Sequence, residues 1–114
     1  MSEEGGKVIL LGGECVGHVE NDIGYVVLGE MLQSLAKRDD RLKAIICWNT
    51  AVKLLAEGSP FVRHFKSLEE KGIDIVVGKA CVEEFELMGK IAVGRIAALD
   101  EVLDLMFTNN ILSL

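Results

Sequence analysis

Three short apolar runs punctuate the chain, the third interrupted only by Asp74: Val8-Ile9-Leu10-Leu11 after Lys7, Ala44-Ile45-Ile46-Cys47-Trp48, and Ile73-Asp74-Ile75-Val76-Val77. A strand with one solvated face alternates apolar and polar residues; a continuous run closed by turn residues reads as a strand buried on both faces. Between these runs the period becomes helical. Asn21 or Asp22 caps a helix in which Ile23, Val26, Val27, Met31, Leu32 and Leu35 recur at helical spacing up to Lys37-Arg38. Residues 51–55 form a short helix-like segment. Ser59 as N-cap and Pro60 at the first helical position open the next helix, whose buried face is Phe61, Phe65 and Leu68 and which ends at Gly72. Residues 82–88 read as another short helix, 91–94 as a short fourth strand, 99–107 as a last helix and 111–114 as an edge strand.

Strands that alternate with helices require crossover connections, so the fold class is α/β, with a mostly parallel sheet of about five strands and helices on both sides. The 114 residues suffice for one domain, over 7–114, preceded by a polar tail at 1–6. Half of the chain is apolar, yet no run approaches the roughly 18 to 20 residues that cross a bilayer. The first six residues lack the basic start and apolar core of a secretory signal, which makes the expected location cytoplasmic. A net charge of −6 with scattered basic residues repels a phosphate backbone and argues against nucleic-acid binding. Cys15, Cys47 and Cys81 are odd in number and form no C-x-x-C pair, which argues against a disulfide framework and a closed zinc site.

In a parallel sheet the loops that follow the strands share one edge, so residues 12–22, 49–53 and 78–81 should converge. The first loop holds Glu14, Cys15, His18, Glu20 and Asn21, the second Asn49, Thr50 and Lys53, and the third Lys79 and Cys81. A pocket with a thiol, an amide and a polar loop is one reading; solvated turns are the other. Cys81 leads because the third strand passes through Gly78-Lys79-Ala80 into a helix start, where unpaired N–H groups favour a thiolate. Lys79 would support that charge and Glu83, Glu84 and Glu86 would oppose it, while a plain buried thiol is the competing reading. Gly12-Gly13-Glu14-Cys15-Val16-Gly17 lacks both the Lys-Ser/Thr ending of a P-loop and the G-x-G-x-x-G spacing, so no nucleotide or other cofactor is expected. Cys15 and His18 have no second ligand pair, and no metal is expected. Cys47 reads as core packing, His64 as helix surface, Lys53 as a solvated tip, and Asn49 as a helix cap that can also face the pocket.

Asn49-Thr50-Ala51-Val52-Lys53-Leu54, Glu57-Gly58-Ser59, Leu68-Glu69-Glu70-Lys71-Gly72-Ile73 and Gly78-Lys79-Ala80-Cys81, with the loop from Gly17 feeding a long helix, resemble the DsrE-like sulfur-relay family. The likeness is greatest to the C-terminal domain of the YedF proteins of selenium metabolism. It implies a three-layer α/β/α sandwich, a homo-oligomer, and a sulfur carrier or sulfurtransferase that holds a persulfide on Cys81 and exchanges it with donor and acceptor proteins. Asn49, Thr50, Lys53, Cys15, Gly17, His18 and Lys79 are the expected pocket residues. The YedF-like form has a further cysteine where this chain has Gly78, which leaves a single-cysteine carrier. A non-catalytic oligomeric protein that binds a small ligand in the same pocket, or serves as a scaffold, is the alternative. Self-association is expected on separate grounds: Tyr25 and Leu28 widen the first helix's apolar stripe, and Leu99, Val102, Leu103, Leu105, Met106 and Phe107 repeat the excess on the last helix, beyond what one face can bury.

Overall fold

The computed structural model describes residues 6–17, 22–38 and 41–114. Five strands form one sheet: β1 (Lys7–Leu11), β2 (Leu42–Cys47), β3 (Asp74–Gly78), β4 (Arg95–Ala97) and β5 (Asn110–Ser113). Their order is β4-β3-β2-β1-β5, and every pairing is parallel. The chain therefore steps from β1 to β4 in one direction and returns across the sheet to β5. A fixed crossover hand then sends the return connection to the opposite face from the others.

The two cores bear this out. Helices α1 (Asp22–Lys37), α2 (Val62–Glu70) and α3 (Lys79–Glu84), with the 3-10 helix Asn49–Leu55, share one face. There Leu28, Leu32, Phe65, Leu68 and Val82 meet Ile9, Leu11, Ile45, Cys47, Ile75 and Val77. Helix α4 (Leu99–Thr108) covers the other face, where Val102 meets Val8, Leu10, Ala44, Ile46 and Val76. This is the expected three-layer α/β/α sandwich, with central strands buried on both sides.

Several elements differ from the sequence reading. The buried stripe of α1 is Gly24, Leu28, Gly29 and Leu32, with Met31, Leu35 and Ala36 partly buried, whereas Ile23, Val26 and Val27 point outward. Positions 24, 28, 31, 32, 35 and 36 lie on one helical face. The packing of Phe61 over Gly29 and its stacking on Tyr25, with ring centroids 4.8 Å apart, accompany that orientation. The fourth strand lies at Arg95–Ala97 rather than 91–94. Gly94, at φ +90°, bends the chain hard against Ile75, and pairing with β3 starts only beyond it; Ile91 makes a single antiparallel bridge to Ala56 instead. The segment after Trp48 is a 3-10 helix, and α2 begins at Val62, with the Ser59 hydroxyl accepting the Phe61 N–H at 3.1 Å. Gly72, at φ +94°, ends α2 as expected, and the Ile73 N–H closes onto the Leu68 carbonyl at 3.2 Å.

Candidate functional site

All five strands run the same way, so the segments that follow β1, β2 and β3 do share an edge. β1 leads into residues 12–17, β2 into Trp48 and the 3-10 helix, and β3 into α3. The Trp48 N–H donates to the Leu11 carbonyl at 3.2 Å, tying the end of β2 across the end of β1. Trp48 also stands between two glycines. A Cβ on Gly12 would lie 3.7 Å from its Nε1, and one on Gly78 would lie 3.3 Å from its Cβ.

Cys81 is half-buried and sits inside α3, three residues beyond its N-cap Gly78, rather than in a loop ahead of the helix. The backbone amide of Asn49 donates to its Sγ at 3.0 Å. Asn49 opens the 3-10 helix with φ +56°, a left-handed conformation that Asn tolerates better than most residues, and the amide it carries meets the thiol from the neighbouring strand's end. The sequence marked Asn49 for its side chain; the contact is made by its main chain. That hydrogen bond ties the sulfur of α3 to the end of β2.

Around this pair, Lys53 reaches back from the 3-10 helix to hold its Nζ 4.5 Å from the ring centroid of Phe85, whose N–H bonds to the Cys81 carbonyl at 3.0 Å. Lys79, the first residue of α3, is exposed, and Thr50 is half-buried. The structure thus joins Asn49, Lys53 and Cys81 through direct contacts or one intervening residue. Cys15 is buried in the segment after β1, two strands from β3, which at normal strand spacing separates the strand ends by roughly 10 Å. Gly17 is exposed at φ +108°, and the Val16 N–H anchors its segment to the Gly24 carbonyl of α1 at 3.1 Å. His18, Glu20 and Asn21 lie outside the described residues.

The remaining candidates have other roles. Cys47 is fully buried in the first core, and burial pushes its thiol up to about 12. His64 packs its ring 5.9 Å from that of Phe61 on α2, and partial burial together with Arg63 lowers its pKa. Phe85, which carries Lys53 over its ring, and Trp48, which packs between Gly12 and Gly78, have no local signal in the sequence. Trp48 ends an apolar strand and Phe85 stands in an apolar helix, so both read as ordinary packing residues. The strand order also puts the reversal point between β1 and β5, whereas the thiol lies past β2 and β3, so this edge does not follow the usual preference for the switch-point crevice.

An all-parallel sandwich with a half-buried thiol at the carboxyl edge of its sheet defines the class of this protein. No protein-family model and no curated protein sequence matches the chain. Solved structures do. The ychN protein of E. coli superposes with a TM-score of 0.73 at 13% identity, over 96% of this chain and 99% of that one. BT1422 from Bacteroides thetaiotaomicron gives 0.68 at 21% identity over 95% and 94%, and MTH1491 from Methanobacterium thermoautotrophicum gives 0.68 at 9% over 95% and 97%. The last two are described as proteins of unknown function. The chain shares the fold of these structures, the three-layer α/β sandwich that the sequence led to expect.

Proposed function

We propose that this protein is a sulfur carrier of the DsrE-like type, with affinity to the YedF-like branch, and that Cys81 bears the sulfur, or selenium, in transit. The observation that supports this reading is the Asn49 N–H held 3.0 Å from the Cys81 Sγ by a left-handed residue at the end of the adjacent strand. In the proposed step the Cys81 thiolate attacks the outer sulfur of a donor persulfide. A new S–S bond forms on Cys81, the donor's S–S bond breaks, and the donor leaves as a thiolate. An acceptor thiolate then attacks the outer sulfur and returns Cys81 to a thiolate, with no net oxidation. Because residue 78 is glycine, no thiol stands there to resolve the persulfide as an internal disulfide. Thr50, Lys53 and Lys79 line the approach in this reading, and Cys15, on the segment after β1 two strands away, is the reserve thiol.

The carrier is further proposed to act as a homo-oligomer. Ile23, Val26 and Val27 on α1 and Leu99 and Phe107 on α4 are exposed, Phe107 at 85%, which leaves more apolar surface than one chain needs. Incubation with a persulfide donor followed by peptide mass spectrometry tests the central claim. The expected result is a mass increase of one sulfur atom on the Cys81 peptide, absent in Cys81→Ser. If the adduct persists in that variant, Cys15 becomes the carrier; no adduct on any thiol overturns the reading.

A further inference from the structure

A groove beside β5 and the outward face of α1 are both apolar and uncovered among the described residues, and they lie on different parts of the surface. The first is a groove of about 440 Å³ with an apolar floor of Ile9, Leu35, Leu42 and Leu112. Topology creates it. The first-face helices connect β1 to β2, β2 to β3 and β3 to β4, so none needs to cross β5, and Leu112, which pairs with Ile9 on that face, stays 45% exposed. Lys7 and Arg41, both exposed, add positive charge to its lining. Asp39 and Asp40, which precede Arg41, lie outside the described residues.

The second feature is the outward face of α1. Ile23 and Val26 are 68% and 51% exposed, and with Val27 they occupy i, i+3 and i+4 positions on one stripe. Asp22 and Glu30 bracket that stripe with negative charge. An apolar helix stripe with acidic ends matches an apolar groove with basic lining in both character and sign. The groove lies where α1 ends, at Leu35, and the apolar stripe where α1 begins; at about 1.5 Å of rise per residue, roughly 13 Å of the same helix separates Val26 from Leu35, so the two patches cannot meet within one chain.

We infer that the outward face of α1 in one copy docks into the groove between α1 and β5 of a second copy, giving a head-to-tail interface. Such an interface is heterologous: each chain offers two different patches, and repetition either closes a ring or continues as an open array. The inference rests on the self-association put forward above and specifies its mode. A complementation experiment tests it. Val26→Asp disables the helix face and Leu112→Asp disables the groove, and both positions are exposed enough to leave the fold intact, as circular dichroism will check. Native mass spectrometry and light scattering at micromolar concentration should show an assembly for the wild type and one-chain masses for each variant alone. The equimolar mixture should give a two-chain species with one copy of each variant, because one intact groove then meets one intact helix face. Should Leu112→Asp lose its circular dichroism, Lys7→Glu with Arg41→Glu replaces it, since those changes leave the apolar floor untouched. A monomeric wild type overturns both self-association and its mode. An assembly that resists these changes, or a mixture in which no two-chain species forms, overturns the head-to-tail mode alone.

Discussion

The three thiols of this chain share one chemistry and differ only in surroundings. Cys47 is sealed in the first core, Cys15 is buried in the segment after β1, and Cys81 is half-buried with an amide hydrogen on its sulfur. Iodoacetamide should therefore modify Cys81 first in the native protein, and peptide mapping that finds Cys47 or Cys15 labelled earlier would remove the basis for the site. The left-handed Asn49 supplies a second expectation. Asn49→Gly keeps that conformation available and should leave the Cys81 alkylation rate within about twofold, whereas Asn49→Val strains it by about 1–2 kcal/mol and should slow the reaction several-fold. A third concerns pH. Burial raises the Cys47 thiol from 9.0 to about 12. Between those values the unfolded chain loses this proton and the folded one keeps it, so the associated stability is fully present below pH 9 and disappears as pH rises to about 12, a change of about 4 kcal/mol. Denaturant titrations at several pH values, with Cys47→Ala as reference to cancel the other titrating groups, should show the gap between the two proteins narrowing over that window. The position of Cys81 beyond the third strand was legible in the sequence because a cysteine after an apolar strand can be recognised locally. The amide that meets it was not, since Asn49 is 32 residues away and approaches only when β2 lies beside β3.

At the scale of elements, Gly94 and Gly29 make opposite expectations testable. A Cβ on Gly94 would stand 3.0 Å from the Ile75 carbonyl oxygen at φ +90°, so Gly94→Ala should cost about 3 kcal/mol and loosen β4, read as a lower urea midpoint. Gly29 is inside α1, where a Cβ would meet Phe61 at an ordinary 3.5 Å, so Gly29→Ala should be neutral or stabilise by up to about 1 kcal/mol through helix propensity. The outer end of β4 is tied down by Arg95, which bonds the Asp74 carboxylate at 2.9 Å through two nitrogens and also pairs with Glu101; these charges are exposed and contribute only modestly. Helix α1 shows what periodicity alone leaves open. Its apolar residues fill more than one face, and glycine does not register as apolar, so periodicity favours a stripe through the larger side chains Ile23, Val26 and Val27 over the one through Gly24 and Gly29 that packing selects.

For the whole molecule, the two cores lie on opposite faces of the same strands, so neither can dissolve while the other persists. Trp48 packs against the second core, whereas most helical signal comes from the first face. Its fluorescence and far-ultraviolet circular dichroism should therefore trace one coincident thermal transition, and separated midpoints would show the faces to be independent. If the chains self-associate, that transition should move upward with protein concentration. Among the described residues no helix is long and apolar enough to cross a membrane.

The sequence by itself determined the α/β class, the three central strands, the general extent of the helices and the position of Cys81 just beyond the third strand. Those features come from residue period, turn chemistry and neighbours within a few positions. Only tertiary structure decided which face of α1 is buried, where β4 begins, and which groups surround the thiol. Each depends on residues far apart in sequence: Phe61 against Gly29, Ile75 against Gly94, and the Asn49 amide against Cys81. The uncovered strip along β5 has the same origin, because it follows from the order in which the strands are laid side by side.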